Sequence, residues 1–170
     1  MSTRTAAETV VHISGVEKRF EDGGRSTLAL TGIDLEIRHG EFVSLIGPSG
    51  CGKSTLLRLI GDLTPPSAGT ITVNGKPAPQ ARLDRDYGMV FQAPVLFDWR
   101  TVEDNVILPL EILGRPKAER LARARAMLEL VELSGFTRHY PYQLSGGMQQ
   151  RVAIARALAF EPAILLMDEP

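Results

Sequence analysis

The hydrophobic and polar positions in the first part of the chain favour β-strands, through β-branched residues in one segment and alternation in another. Residues 10–14 (VVHIS) are rich in β-branched side chains, and residues 28–37 (LALTGIDLEI) alternate at period two from Leu35 onward. The polar segment 21–26 (EDGGRS) predicts a glycine turn between them, and residues 69–75 (GTITVNG) predict a further strand. The N-terminal part of the chain is therefore predicted to be rich in β-structure.

Three shorter apolar runs do not alternate in this way. They are residues 41–47 (EFVSLIG), 87–92 (YGMVFQ) and 162–168 (PAILLMD). Short continuous apolar runs favour strands that are covered on both faces. We therefore predict a buried strand at 41–47, another at 87–92, and a closing strand at 162–168.

Helical periodicity follows the first of these runs and dominates the chain after residue 92. The segment 101–114 opens with Thr101 and carries Asp104 three residues later, which is an approximate capping box. Strands followed by a helical block and a final strand indicate an α/β fold. Helices are predicted for residues 53–63, 101–114, 117–133 (amphipathic) and 145–160.

The composition is ordinary for a soluble globular protein and excludes several functions. Apolar residues make up 44% and charged residues 23% of the 170 positions, enough for one domain or the larger part of one. The formal net charge of −1 gives no basic field for nucleic acid, and the single cysteine, Cys51, excludes an internal disulfide. We expect no signal peptide in MSTRTAAETV and no transmembrane segment.

A glycine-rich loop, GPSGCGKST, stands between the run at 41–47 and the first predicted helix. Its backbone N–H groups can converge on phosphate oxygens because glycines carry no Cβ, and the helix end adds positive charge. Lys53 is expected to contact the outer phosphates and Ser54 to bind Mg²⁺, whereas the alternative is a turn that binds nothing. The residues with this Walker A spacing are Gly47, Pro48, Ser49, Gly50, Cys51, Gly52, Lys53, Ser54 and Thr55.

Two carboxylates, Asp168 and Glu169, follow the last apolar run. In a protein with a phosphate loop, Asp168 is expected to hold Mg²⁺ through water. Glu169 is then placed to orient and polarise the attacking water. The alternative is an exposed acidic turn after a core strand.

A second helix start of anion-binding character lies in residues 142–158 (YQLSGGMQQRVAIARAL). Ser145 can cap this helix, and Gly146 and Gly147 leave its first N–H groups open to an anion. Because the chain has its own phosphate loop, we infer a head-to-tail dimer in which each ATP lies between two chains. The alternative is an ordinary capped helix.

The segment LSGGMQQR resembles the signature motif of ATP-binding cassette (ABC) transporters, and the order of motifs resembles that family over nearly the whole chain. Met148 departs from the commoner pattern, in which a glutamine follows the glycines directly. The resemblance implies a P-loop NTPase core with a parallel sheet, an N-terminal antiparallel β part and a helical signature subdomain. We expect one nucleotide-binding domain over 1–170, with a β-rich part and phosphate loop (1–92), a helical subdomain (93–160) and a Walker B strand (161–170).

The resemblance also implies roles for residues outside these loops. Phe20 matches the aromatic residue that stacks on adenine, and Gln92 matches the glutamine that contacts Mg²⁺ and the attacking water. The segment after Gln92 is most similar to importers of nitrate, taurine, sulfonates and pyrimidine precursors. Its Phe97 and Trp99 are either core anchors or, as the family analogy favours, an exposed lip for a helix of the permease.

The function implied by the resemblance is that of the ATP-hydrolysing subunit of a solute importer. The expected partners are ATP, a second ATPase subunit that is most simply identical, membrane permease subunits and, indirectly, a solute-binding protein. The expected location is the cytoplasmic face of the membrane. A soluble ABC protein of translation or DNA repair is a weaker alternative, because such proteins usually carry two cassettes or a long arm.

The family pattern normally continues beyond DEP with more strands and a histidine that contacts the γ-phosphate. His12, His39 and His139 all precede the acidic pair and do not match that histidine. Loss of one such polar contact in the transition state typically costs ~3 kcal/mol. We therefore expect a core that is truncated after the acidic pair, and the alternative function is a nucleotide-binding module without turnover.

Overall fold

The computed structural model describes residues 8–169, and the chain divides into two compact units between Tyr87 and Gly88. Residues 1–7, where no signal peptide was expected, and Pro170, the last residue of the expected Walker B segment, lie outside the described residues. Within the described part of the chain, no helix has the length and apolar character needed to cross a membrane.

The first unit contains an antiparallel sheet of order β2-β1-β3-β4. Strands β1 (Thr9–Asp22) and β2 (Arg25–Arg38) form a hairpin whose turn residues, Gly23 and Gly24, both have positive φ, as a type I′ turn requires. Strand β3 (Ala68–Val73) pairs with β1, and β4 (Lys76–Pro77) pairs with β3. The predicted strands and the glycine turn are confirmed.

The described residues of the first unit include two helices. Helix α1 (Lys53–Ile60) follows the glycine-rich loop and buries three apolar side chains, although it ends earlier than predicted because the chain turns at Gly61. Helix α2 (Ala78–Asp84) is not among the predicted helices. The structure places Pro79 in its first turn, where proline is tolerated because the N–H group has no helical partner.

The segment 41–47 is not a strand, so the predicted buried strand before the glycine-rich loop is wrong. Phe42 and Ile46 are each 93% exposed, and the segment has no regular secondary structure. A strand covered on both faces needs hydrogen-bonded neighbours for its backbone. Among residues 8–169, no strand pairs with this segment. Its apolar composition was therefore not sufficient to form a strand.

The second unit combines a helical core with a two-stranded sheet. Strands β5 (Tyr87–Val90) and β6 (Ile164–Met167) are hydrogen-bonded neighbours, which confirms strands within the runs at 87–92 and 162–168. Val106, Leu128 and Val152 lie at the centre of the helical core with no exposed surface. The helices that supply this core are α3 (Val102–Ile112), α4 (Lys117–Leu130) and α5 (Gly146–Leu158), as predicted.

The start of α3 has the predicted cap. The Thr101 hydroxyl oxygen accepts a hydrogen bond from the backbone N–H of Asp104 at 3.1 Å, and the same hydroxyl lies 2.6 Å from the Asp104 carboxylate. Such a cap satisfies an N–H group that the helix cannot pair. An antiparallel N-terminal sheet, a strand pair and a helical block together confirm the α/β class.

Candidate functional site

The glycine-rich loop, residues 47–55, folds around the ammonium group of Lys53. The Lys53 Nζ donates hydrogen bonds to the carbonyl oxygens of Gly47 at 2.9 Å and Pro48 at 3.0 Å, and it lies 3.9 Å from the Sγ of Cys51. The backbone N–H of Cys51 donates to the Pro48 carbonyl at 3.3 Å, closing a turn of the loop. The loop therefore holds a cation on an exposed part of the surface.

Glycine is required at the point where this loop becomes helix α1. Gly50 and Gly52 have φ angles of +80° and +101°, in the region that side chains disfavour. A Cβ at Gly52 would lie 2.6 Å from the Cδ2 of Leu30 and 3.1 Å from the carbonyl oxygen of Ala29. Gly52 is also the N-cap of α1 and provides no side-chain cap, which suits a helix start that binds an anion.

Phe20 lies near this loop along the hairpin of the first unit. Leu30, which packs against Gly52, is the cross-strand partner of Lys18, and Phe20 pairs with Thr27. Leu30 and Thr27 are three residues apart on β2, or about 10 Å at the usual rise of a strand. The Phe20 ring is 45% exposed, and the Nζ of Lys18 lies 5.0 Å from its centroid. Phe20 therefore lies on the same hairpin as the residue that packs against Gly52.

The second unit brings Gln92 and Glu169 together at the ends of two paired strands. The backbone N–H of Asp168 donates to the Val90 carbonyl at 2.9 Å, which sets the register between the strand ends. The Gln92 Nε2 then donates to the Glu169 Oε2 at 2.8 Å, across 77 residues of sequence. Asp168 is buried at 5% exposure, whereas Glu169 is exposed. One carboxylate is therefore enclosed and the other is oriented by an amide.

The start of helix α5 is accessible on the surface of the second unit. The Ser145 hydroxyl accepts a hydrogen bond from the backbone N–H of Met148 at 3.3 Å. Ser145, Gly146 and Gly147 are exposed, and a Cβ at either glycine would meet nothing within 4 Å. Met148, where the chain departs from the commoner signature pattern, packs against the helical core and leaves this helix start uncovered.

A loop at residues 93–100 exposes an aromatic side chain. Trp99 is 74% exposed, and its ring centroid lies 5.0 Å from that of the partly buried Phe97. Asn105, which has no exposed surface, accepts a hydrogen bond from the Phe97 N–H and donates to the carbonyls of Phe97, Arg100 and Thr101. Trp99 is therefore not a core anchor, and the hydrogen bonds of the buried Asn105 hold its loop in place.

Three residues that hold the chain after β5 were not among the predicted site residues. They are Asn105, Gln150 and Arg156, of which only Asn105 gave a signal, as a polar residue within an apolar helical run. The Gln150 Nε2 donates to the Phe91 carbonyl at 3.0 Å, and Arg156 donates to the carbonyls of Pro94 and Val95. Burial lowers the pKa of the Arg156 guanidinium from its ordinary value. Helix α5 thus supports the segment on both sides of Gln92.

The side chains expected to bind Mg²⁺ are oxygen donors of the type that this ion prefers. Ser54 supplies a hydroxyl in the first unit, and Gln92 and Asp168 supply an amide and a carboxylate in the second. Within residues 8–169, no group of three or more His, Cys, Asp or Glu side chains is arranged to hold a metal ion.

Comparison with known proteins gives consistent matches. Residues 30–170 match the family model described as ABC transporter. An uncharacterized ABC transporter ATP-binding protein of Methanocaldococcus jannaschii is 48% identical over 98% of this chain and 62% of that protein. A sulfate/thiosulfate import ATP-binding protein of Gloeobacter violaceus is 51% identical over 93% of this chain and 45% of that protein.

The fold agrees with a solved structure as well. A dimeric ATP-binding cassette in a post-hydrolysis state, bound to ADP and Pi, matches with a TM-score of 0.86 and 42% identity, over 92% of this chain and 72% of that one. The chain thus spans between 45% and 62% of the two curated relatives just described. Since the family model covers most of the sequence and these identities are high, the chain belongs to the ABC transporter family.

Proposed function

We propose that this chain is the ATP-binding part of an ABC importer, which binds Mg·ATP and hydrolyses it to drive solute transport. The observation that carries the proposal is the hydrogen bond from Gln92 to Glu169, which orients an exposed carboxylate beside the buried Asp168. Relatives of 45–52% identity are named for import of sulfate, methionine, ferric ions and polyamines, which supports an importer.

Nucleotide binding is assigned to the first unit. The Lys53 ammonium exchanges the carbonyls of Gly47 and Pro48 for oxygens of the outer phosphates, and the first N–H groups of α1 donate to the same anion. Phe20 offers a partly exposed ring for the adenine. Ser54 in the first unit would hold Mg²⁺, which would neutralise charge on the phosphates, and Gln92 and Asp168 are the ligands proposed in the second unit.

Turnover is assigned to Glu169. Its carboxylate accepts a hydrogen bond from the attacking water and holds that water in line with the γ-phosphate. Gln92 donates a hydrogen bond to Oε2 of the same carboxylate and so orients it. A general base of this kind typically contributes about 10²–10⁴-fold to the rate.

The proposed partners are assigned to two exposed parts of the second unit, the start of helix α5 and the loop that carries Trp99. We infer that residues 145–147 bind the γ-phosphate on a second, identical subunit, because that helix start is capped yet open to an anion. Trp99 is assigned to contact a permease from the cytoplasmic side of the membrane, with a solute-binding protein as an indirect partner. The finer proposal, a nitrate, taurine, sulfonate or pyrimidine-precursor importer, is supported only by the resemblance of residues 93–112 to that group.

The test is phosphate release from Mg·ATP together with binding of a fluorescent ATP analogue. Lys53→Ala should weaken binding by roughly tenfold or more, because a hydrogen bond to a charged group is lost. Glu169→Gln should keep binding and lose about 10²–10⁴-fold in rate. Glu132→Gln, an exposed carboxylate elsewhere in the same unit, is the matched control and should change neither. If the chain binds ATP but shows no phosphate release that depends on Glu169, the alternative is supported, namely a nucleotide-binding module without turnover.

A further inference from the structure

Lys18 is a buried lysine whose ammonium lies against the ring of Phe20. The residue is 8% exposed, its Nζ lies 5.0 Å from the Phe20 centroid, and it donates a hydrogen bond to the Pro65 carbonyl at 2.7 Å. Lysine is almost never buried to this extent without a specific partner, because its charge loses hydration. The contacts with Phe20 and Pro65 therefore account for the position of the charge.

The surrounding backbone fixes this arrangement. The pairing of β1 with β2 is irregular on both sides of Lys18, and such bulges re-aim a side chain. The segment that carries Pro65 is tied to β1, because the Ser67 N–H donates to the Glu17 carbonyl at 2.8 Å and the Arg19 N–H donates to the Ser67 Oγ at 2.9 Å. The carbonyl that holds the ammonium is thus anchored next to the strand that carries Lys18.

The ammonium covers one face of the ring, so a planar ligand can stack only on the other. A cation near one face draws π-electron density toward itself, which makes the opposite face less negative. An electron-rich purine is attracted more strongly to such a face than to that of an isolated phenylalanine. The same contact restricts the rotation of the ring, which lowers the entropy lost when a base binds.

We propose that Lys18 is a positioning residue for the nucleobase: it fixes and polarises the Phe20 ring so that the ring binds a purine. The inference rests on the proposed nucleotide site and adds to it a residue that does not contact the phosphates. Its effect must therefore appear with ligands that contain a base and be absent with ligands that consist of phosphates alone.

The experiment compares binding of Mg·ATP and of Mg·tripolyphosphate, which has no base, by calorimetry. Lys18→Met keeps the length of the side chain and removes its charge, and it should weaken ATP binding by about three- to tenfold. Tripolyphosphate affinity should stay unchanged within twofold. Lys18→Arg retains a cation and should recover most of the ATP affinity, whereas Lys117→Met, on an exposed position of α4, is the control for a lost positive charge.

A second measurement keeps the test valid if Lys18→Met folds poorly. Phe20→Leu should lower the ratio of ATP affinity to tripolyphosphate affinity in the same way. Adding Lys18→Arg to the Phe20→Leu variant should not restore this ratio, because the ring on which the cation acts is absent. Equal weakening of both ligands by Lys18→Met, in a folded protein, would make Lys18 a structural residue and overturn the inference. Failure of the unsubstituted chain to bind either ligand would overturn the proposed function itself, and the inference with it.

Discussion

The apolar run before Gln92 in the second unit is a paired strand, whereas the apolar run before the glycine-rich loop in the first unit is exposed. Val90 in β5 is 1% exposed and packs with Ala153 and Ala157 of α5, but Val43 is 42% exposed. The two runs have similar composition and received the same prediction. They differ in that β5 has β6 as a hydrogen-bonded neighbour. A strand partner, more than apolar content, therefore decides whether such a run becomes a strand.

Helices α1 and α5, whose starts are proposed to bind phosphate, differ in a related way. The N-cap of α1 is Gly52, which has a left-handed backbone conformation and no side-chain cap. The N-cap of α5 is Ser145, whose hydroxyl accepts a hydrogen bond from the backbone N–H of Met148. The first unit thus builds its motif from backbone conformation, and the second builds its motif from side chains packed on a helical core. The two motifs should consequently respond to different substitutions.

The largest difference is expected between two glycines that stand at these helix starts. Gly52→Ala forces a side chain into φ +101° and against Leu30 and Ala29, which should cost about 3 kcal/mol in all. It should also abolish nucleotide binding, because the loop can no longer close. Gly146→Ala meets no atom within 4 Å and replaces a poor helix former, so unfolding free energy should stay equal or rise by up to ~1 kcal/mol.

Urea unfolding, monitored by circular dichroism, measures both effects. Binding of a fluorescent ATP analogue to each variant shows whether the loop remains formed. If Gly52→Ala kept both stability and binding, the left-handed helix start would not be required, and the contrast between backbone and side-chain motifs would be wrong.

Val90 and Val43 provide a smaller and more direct comparison of the two apolar runs. Val90→Ala removes two methyl groups from a packed contact with α5 and should lower the unfolding free energy by about 2 kcal/mol. Val43→Ala should change it by no more than ~0.5 kcal/mol, as exposed positions usually do. A large loss at Val43 in the same urea experiment would mean that residues 41–47 are covered in solution.

These contrasts explain how far the sequence could predict the fold. Alternation and helical spacing are local, so the β1–β2 hairpin, the cap at Thr101 and the helices of the second unit were found correctly. The state of residues 41–47 depends on whether another strand pairs with them, and no local pattern contains that information. Helix α2 was missed for a local reason, because proline suits a first helical turn as well as a loop.

The candidate site was predictable to a similar degree. Spacing singled out the glycine-rich loop and the acidic pair as candidates, since phosphate and Mg²⁺ chemistry restricts which residues stand next to one another. The supporting contacts were not predictable, because they join residues far apart in sequence. Lys18 reaches a carbonyl 47 residues away and Arg156 reaches carbonyls 61 and 62 residues away. Lysine and arginine are also common on surfaces, so composition did not mark them.

The smallest expected effect concerns the cap of α5 itself. Ser145→Ala removes the hydroxyl that accepts from the Met148 N–H and should cost about 1 kcal/mol, which is typical of a lost N-cap. Ser145→Asp keeps the acceptor and should retain that stability, yet it places a carboxylate where the proposed partner phosphate would bind. In the presence of Mg·ATP, Ser145→Asp should therefore reduce dimerisation, measured by light scattering, more than Ser145→Ala does, although it is the more stable variant. Equal dimerisation by both variants would show that the Ser145 cap stabilises helix α5 and does not contact the nucleotide of a partner.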